Sequence, residues 1–477
     1  MGRWPAPWPG TSHFIGIGGV AMSGVAALLA GRGTRVSGSD RTVYPPASDL
    51  LAAAGIEVRT PFDASHVERD AEIVVVGNAV SRGNPELEAV LDASLPLCSL
   101  SELIERLLVP GRRVSVVAGT HGKTTTAGLL AHLHHAASRD PSFVVGGLLD
   151  NFGCGARLGD GPDLVLEGDE YDTAFFDKGP KFLHYWPRIA VLGAIEFDHA
   201  DIYDDLAAVE RAFALLVRMV PEAGALIFDG ACPVATRLAR AARCVTTSFG
   251  IGGGFDVAAT DVEGDADGQR FVVARDGGPA AEVRLSLPGR HNAKNAVAAL
   301  AAAEAAGLPL DRAAGNVGGY IPPRRRLQRI GEKGGAVVFD DFAHHPTAVE
   351  RTLEALRATV PEGGRLIACL EPRSNTMVRR VVQEPLARAL ALADVVFVGP
   401  VDRPERFADE ERLDVASLVR TLRGREIVAE GPLPATTIER RILGLLRPGD
   451  RVVLMSNGSF GGLAGRLADA LAGGEKA

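Results

Sequence analysis

Cysteine is scarce and unpatterned in this chain, with five in 477 residues at Cys98, Cys154, Cys232, Cys244 and Cys369 and no Cys-x-x-Cys pair. An odd, scattered set excludes a disulfide framework and a zinc knuckle, and it fits a reducing cytoplasm. An excess of positive charge is missing as well: 51 Lys and Arg stand against 59 Asp and Glu, a formal net charge of -8. That balance supplies no basic face for nonspecific nucleic-acid binding, so any anionic ligand has to be held by local groups. No run is long and apolar enough to span a bilayer, and no membrane partner is expected. The apolar stretch Phe14–Leu29 lies where a signal peptide would, but Gly16, Gly18, Gly19 and Gly24 interrupt it and strand and helix patterns continue beyond it. It reads as part of the fold. Pro, Gly and Ser form no low-complexity tract, and no solenoid repeat is present.

What is present is alternation. Apolar residues make up 46% of the chain and charged residues 23%, ordinary values for a globular protein, and the length exceeds what one core supports. Short β-branched runs alternate with amphipathic helical stretches, the pattern of α/β layering with largely parallel sheets. Three domains are expected, over residues 1–112, 113–322 and 323–477. The first has strand candidates His13–Ile17, Thr34–Ser37 and Ile73–Gly77. The second opens on Val114–Ala118 and adds Asp163–Leu166, Ile189–Leu192 and Ala225–Phe228. Within it, Phe255–Leu287 shows alternation and acidic turns without a helical period, which predicts added antiparallel strands. Helix Asn292–Ala306 follows. The third begins at the stiff pair Pro322-Pro323 and carries Ala336–Phe339, Leu366–Leu370, Val395–Val398 and Val452–Met455, each before a helix. The first and third are thus Rossmann-like, and the second is a nucleotide-phosphate fold.

The most informative motif is Val116-Val117-Ala118-Gly119-Thr120-His121-Gly122-Lys123-Thr124-Thr125-Thr126, a buried strand passing through a glycine turn into the helix of Leu129, Leu130 and Leu133. Backbone N–H groups of such a turn and the helix N-terminus point at phosphate oxygens. In that reading Gly119 to Thr125 cradle ATP, Lys123 sits on the outer phosphates, and the Thr124 hydroxyl completes a magnesium shell. Downstream, Asp163–Leu166 leads to Glu167-Gly168-Asp169-Glu170-Tyr171-Asp172, and Ile189–Leu192 leads to Glu196-Phe197-Asp198-His199. Read singly, acidic runs are solvated loop ends. In a parallel sheet, however, all three strand ends open on one edge, which makes Glu167 and His199 candidate metal ligands. The N-terminal Gly16-Ile17-Gly18-Gly19-Val20-Ala21-Met22-Ser23-Gly24, with Asp40 about twenty residues on, suits either a dinucleotide or a diphosphate-bearing nucleotide sugar. An NAD-dependent oxidoreductase is the rival there, and the phosphate loop decides for phosphoryl chemistry.

Taken together, these motifs resemble the Mur ligases. The resemblance also rests on Gly289-Arg290-His291-Asn292-Ala293-x-Asn295, Arg325-Arg326 and Asp340-Asp341-Phe342-x-His344-His345-Pro346-Thr347, and it covers nearly the whole chain in order. The runs Glu167 to Lys178, Glu196 to Asp201, Glu371-Pro372-Arg373-Ser374-Asn375-Thr376-Met377 and Met455-Ser456-Asn457-Gly458 are closer to the branch that recycles a cell-wall tripeptide. The resemblance implies a UDP-sugar domain, an ATP domain and a C-terminal domain that closes over the amine substrate. It implies that Gly18, Gly19, Met22, Ser23 and Asp40 meet UDP-N-acetylmuramate, and that Lys123 and Thr124 serve ATP phosphates and Mg. Glu167 and His199 would hold metal, Asn292 and Asn295 would contact adenine, and Arg326 would reach the terminal phosphate. Asp341 would bind nucleotide or order the metal site.

The expected reaction joins L-alanyl-γ-D-glutamyl-meso-diaminopimelate to the sugar through an acyl phosphate, with Arg373, Ser374 and Asn375 at the distal end of the peptide. Ligation of L-alanine, or nucleotide binding without catalysis, are the alternatives. Other readings of single residues stay open: Asn292 as a helix cap, His344 or His345 as turn hydrogen-bonders, and Arg373 paired with Glu371. One of Phe175 and Phe176 is expected to face the substrate channel and the other the core. The sequence does not decide between a monomer and a weak dimer. Two departures from the family pattern are visible: no lysine lies between His199 and Val220, and Ala194 stands where relatives usually carry asparagine.

Overall fold

A computed structural model describes residues 7–198, 202–265 and 268–472. His199 lies outside the described residues. The chain builds three large sheets, each following a stretch of sequence in turn. The first has five parallel strands in the order Val58–Arg59, Arg35–Ser39, Thr11–Ile15, Ile73–Val76 and Leu97–Ser99. The second has ten, in the order Gly278–Leu285, Gly268–Arg275, Val257–Asp265, Val245–Ile251, Ala225–Asp229, Ile189–Leu192, Arg113–Ala118, Asp163–Gly168, Ser142–Leu149 and Cys154–Arg157. The third has six, in the order Gln328–Lys333, Ala336–Asp341, Arg451–Met455, Leu366–Leu370, Val395–Val398 and Val428–Glu430.

The expected α/β architecture is therefore present. The run after Phe255 forms three long strands whose mutual pairing is antiparallel. Strands too short for periodicity, such as Val58–Arg59 and Val428–Glu430, escaped the sequence reading. So did Ser142–Leu149 and Cys154–Arg157, whose Gly146, Gly147 and Gly155 dilute the β-branched signal.

Packing explains the relative placement of the units. Helices Lys123–Ala136 and Arg290–Ala305 lie against each other on one face of the central sheet, over a core that includes Leu130, Phe143, Ala296 and Leu300. The alanine-rich face of the second helix permits the close approach. On the other face, Phe213 of helix Leu206–Met219 and Phe182 pack with ring centroids 5.5 Å apart. That apolar cluster continues through Val114 and Leu164 into Phe14, Val25 and Leu29 of the first unit. Helix Val20–Gly31 of the first unit rests on Ser142–Leu149 and Cys154–Arg157, the last two strands at one end of the second sheet. The third sheet is covered on both faces, by clusters around Leu353 and Leu386 and around Ile438 and Leu467. Tyr320, fully buried just before the connection into the third unit, donates its hydroxyl to the Thr125 carbonyl at 3.1 Å.

The contact between the first two units is narrow enough to test. A β-carbon on Gly24 would lie 3.2 Å from Ala156 Cβ, whereas one on Gly31 of the same helix would meet nothing within 4 Å. Gly24→Val should therefore cost about 1–3 kcal/mol through overpacking and lower the first thermal transition. Gly31→Ala should leave that transition in place, and equal midpoints for both variants would contradict the packing account.

Candidate active site

Three adjacent parallel strands deliver the site. Ala118, the last residue of Arg113–Ala118, is in register with Gly168 on one side and Leu192 on the other. The loops after all three strands consequently leave from one edge. Gly119 can turn there only because it lacks a side chain: its φ is +135°, and a β-carbon would come 3.0 Å from the Gly193 backbone. Gly122, at φ +78°, immediately precedes helix Lys123–Ala136, and a side chain on it would collide with the Asn295 amide. The Ala194 carbonyl accepts Thr120 N–H at 2.8 Å. This main-chain bond holds the loop whatever the side chain at position 194.

A cavity of about 330 Å³ lies over this edge. Thr120, His121, Gly122, Lys123, Thr124, Thr125, Glu167, Asn292, Asn295, Arg326 and Asp341 all line it, so the structure brings together most of the nucleotide and metal candidates. The Lys123 ammonium donates to the Gly119 carbonyl at 2.8 Å and to Glu170 at 2.9 Å, with Asp169 at 3.8 Å. Burial alone would lower its pKa, but Glu170 and Asp169 outweigh burial and hold it above the ordinary lysine value. Thr124 Oγ1 donates to Glu167 at 2.9 Å, and the other Glu167 oxygen accepts Gly146 N–H at 2.7 Å. Burial, reinforced by the neighbouring Asp169, raises the Glu167 pKa. Glu167 and its partner Thr124 both offer hard oxygen donors. This pair fits Mg chemically.

The third unit closes the cavity from the opposite side. Arg326 donates to Thr124 Oγ1 at 3.3 Å, so a guanidinium from one domain touches the phosphate loop of another. Its position is set by Asp341, whose carboxylate accepts Leu327 N–H and Ala343 N–H at 2.8 Å each and the Thr352 hydroxyl at 3.2 Å. Burial raises the Asp341 pKa, with Arg326 opposing. Asp341 thus shapes the loop that carries Arg326. Asn292 does not cap its helix; its amide donates to the Pro288 carbonyl at 2.8 Å and accepts from Asn295 at 3.3 Å. His344 contacts the Phe342 carbonyl at 2.8 Å, and His345 caps helix Pro346–Arg357 by accepting Thr347 N–H at 3.3 Å.

Several lining residues were not singled out from sequence. Asp229 and Lys294 form an ion pair at 2.5 Å beside the asparagines, and strand-end logic would have found Asp229. His291 is held neutral, its pKa pushed down to about 3 by burial and then by Arg351 and Lys294. Glu196 receives His121 at 3.3 Å, the Thr347 hydroxyl at 2.7 Å and Arg351 at 3.5 Å. It therefore ties the phosphate loop to the third unit. His121, Glu196 and His345 have ligand atoms within 4.8 Å of one another, but Thr347 and Arg351 already satisfy that carboxylate.

A second cavity of about 180 Å³ shares Tyr171, Asp198 and His344 with the first and extends to Arg373, Ser374, Asn375, Thr376, Arg403 and Asn457. Glu371 accepts from the Ser456 hydroxyl and from Phe460 N–H, and no ion pair joins it to Arg373 among the described residues. The Ser374 hydroxyl donates to the His344 carbonyl and accepts Met377 N–H, both at 3.0 Å, so it supports the loop. The N-terminal candidates lie elsewhere. Asp40 accepts Gly18 N–H at 2.9 Å and Arg41 N–H at 2.7 Å, closing the glycine turn. Met22 and Ser23 are buried, with the Ser23 hydroxyl on the Val20 carbonyl, and Gly19 precedes their helix. Phe175 packs on the core of the first unit, while Phe176 is 42% exposed.

Family models match in three consecutive parts: the Mur ligase family catalytic domain at residues 11–110, the Mur ligase middle domain at 117–303, and the Mur ligase glutamate ligase domain at 325–458. The UDP-N-acetylmuramate--L-alanyl-gamma-D-glutamyl-meso-2,6-diaminoheptandioate ligase of Escherichia coli K12 is 41% identical over 96% of this chain and 98% of its own. A UDP-N-acetylmuramate--L-alanine ligase of Rubrobacter xylanophilus is 39% identical, over 82% of this chain and 83% of its own. Among solved structures, a murein peptide ligase from Psychrobacter arcticus 273-4 superimposes with a TM-score of 0.74 at 33% identity, covering 97% and 98% of the two chains.

The bonds to Glu196 predict a pH signature. Burial opposes ionisation, yet the His121 contacts, then the Thr347 hydroxyl and Arg351, bring its pKa down to about 2 from an ordinary 4.5. A lowered folded-state pKa means the stabilisation is present above about pH 4.5 and disappears as pH falls through about 2. Glu196→Gln should therefore melt below the wild type at pH 7, and the gap should narrow steadily under pH 4.5. A gap that is constant down to pH 3 would show that the carboxylate is not stabilised by these partners.

Proposed function

The chain belongs to the Mur ligase family, and from that premise we propose that it joins L-alanyl-γ-D-glutamyl-meso-diaminopimelate to UDP-N-acetylmuramate at the expense of ATP. The family premise rests on three family models in order and on 41% identity across 96% of the chain. Within the structure, the reading is carried by Arg326 of the third unit reaching Thr124 on the phosphate loop, where Lys123 also stands. A carboxylate is a poor acyl donor, so ATP converts it to an acyl phosphate, which the peptide amine then attacks to give amide, ADP and phosphate. Bringing a carboxylate onto a phosphate juxtaposes like charges. Lys123 and Arg326 offset that repulsion from opposite domains, in a cleft closed off by the third unit.

Thr124 and Glu167, with His199 by family resemblance, would hold Mg, which supplies further neutralisation of phosphate charge. Gly18, Gly19 and Asp40 are assigned to the UDP-sugar, with Met22 and Ser23 supporting their turn. Arg373 is assigned to the peptide, with Asn375 beside it. Asn292 and Asn295 are assigned to adenine. We assign the reaction to the cytoplasm, where ATP and nucleotide-linked sugar are available. Ligation of free L-alanine is the second reading, favoured by the 39% identity to an L-alanine ligase. The second cavity supports the longer substrate, because a single alanine would leave Arg373 without a partner.

Phosphate release measured with UDP-N-acetylmuramate plus tripeptide should far exceed release with either alone or with L-alanine as the amine. Release that does not depend on the pair would sink the ligase reading, and preference for L-alanine would move the chain to the other branch. Lys123→Ala should nearly abolish turnover while the protein stays folded, because its charge matters most as phosphate charge shifts in the transition state. Unchanged turnover at saturating ATP would remove Lys123 from the reaction.

A further inference from the structure

The second cavity is lined by two polar side chains with no partner among the described residues. The Asn457 amide oxygen is buried and accepts no hydrogen bond, and no bond is made by its amide nitrogen among the described residues. The Arg373 guanidinium likewise makes neither hydrogen bond nor ion pair among the described residues. Uncompensated buried amides cost stability, so an amide left this way in a cavity wall points to a ligand. The amide is also free to turn about its own side-chain axis, since no protein hydrogen bond holds either end.

The fold puts these two groups together by design of the third sheet. Strands Leu366–Leu370 and Arg451–Met455 are neighbours and parallel, with Leu370 in register with Met455. Arg373 and Asn457 therefore follow adjacent strands at the carboxyl edge, where ligands of open α/β sheets bind. Gly458 completes the arrangement. A β-carbon there would lie 2.5 Å from Arg373 Nε and 2.7 Å from Cζ, so the Arg373 side chain occupies the space a side chain at 458 would fill. Gly458 is itself anchored by its N–H to Ser456 Oγ at 2.8 Å, and Ser456 is bound to Glu371.

We propose that Asn457 and Arg373 together read the zwitterionic far end of the peptide, the Asn457 amide oxygen accepting from its ammonium and Arg373 gripping the carboxylate on the same carbon. This rests on the reading that the tripeptide is the amine substrate, and it adds the distal stereocentre of the diamino acid as the element of recognition. A guanidinium pairs with a carboxylate, and an amide oxygen accepts from the ammonium beside it. Asp198, which also lines this cavity and accepts the Thr376 hydroxyl at 2.6 Å, adds a carboxylate to its wall. Gly458 is a positioning residue, acting only through Arg373.

Steady-state kinetics on the full-length chain can decide, using the tripeptide, the same peptide acetylated on its far amine, and a peptide with lysine in place of diaminopimelate. Asn457→Leu should raise KM for the tripeptide by about tenfold or more, the loss expected for a hydrogen bond to a charged group, and leave KM for ATP unchanged. Acetylation should cost the wild type a similar factor and cost Asn457→Leu little more. Asn457→Asp, which keeps an acceptor, should stay within about threefold of wild type and guards against misfolding of the leucine variant. Gly458→Ala should displace Arg373, raising KM for the tripeptide but not for the lysine peptide, which lacks the carboxylate. Equal loss of Asn457→Leu on native and acetylated peptides, or no loss on either, would overturn the assignment. A wild type that joins no tripeptide at all would instead remove the ligase reading beneath it.

Discussion

Crowded negative charge at one sheet edge governs this structure. Glu167, Asp169, Glu170 and Glu196 leave from neighbouring strand ends of a chain already at net -8, beside a loop shaped for phosphate. Such a cleft repels its own ligands unless cations are placed in it with care. Lys123 occupies its centre, bonded to Glu170. Burial and the neighbouring Asp169 raise the Glu167 pKa, so compensation there is incomplete.

The remaining cations come from another domain. Arg326 meets Thr124 and Arg351 meets Glu196, while the hydroxyls of Thr347 and Thr376 bond Glu196 and Asp198. The third unit thus brings positive charge to the acidic edge of the central unit. This arrangement suits a ligase that must exclude water from an activated acyl group. It also explains why Asp341 is buried: it holds the turn from which Arg326 projects.

The second cavity follows a different logic. Arg373 and Asn457 are held at adjacent strand ends with their hydrogen-bonding capacity open, and Ser374, Ser456 and Glu371 are occupied in keeping the loops around them rigid. Rigid support beneath unpaired polar groups is the arrangement expected of a recognition site.

The sequence by itself determined the layered α/β architecture, the phosphate loop and its edge, because hydrophobic period and glycine turns are local properties that neighbouring residues express without tertiary help. Strand Ile189–Leu192 and strands Leu366–Leu370 and Val395–Val398 were legible to the residue for that reason. The convergence of Lys123, Thr124 and Glu167 at one edge was legible because parallel strands bring their ends to one side wherever they pair. The seating of helix Val20–Gly31 on the central sheet was not, since it depends on Gly24 meeting Ala156 across about 130 residues. Nor were the Glu196 bonds to Thr347 and Arg351, the pairing of Asp229 with Lys294, or the placing of Arg373 against Gly458. Each joins groups distant in the chain whose partner is chosen by docking geometry, so only the tertiary structure could decide which charges are satisfied within the protein and which await a ligand.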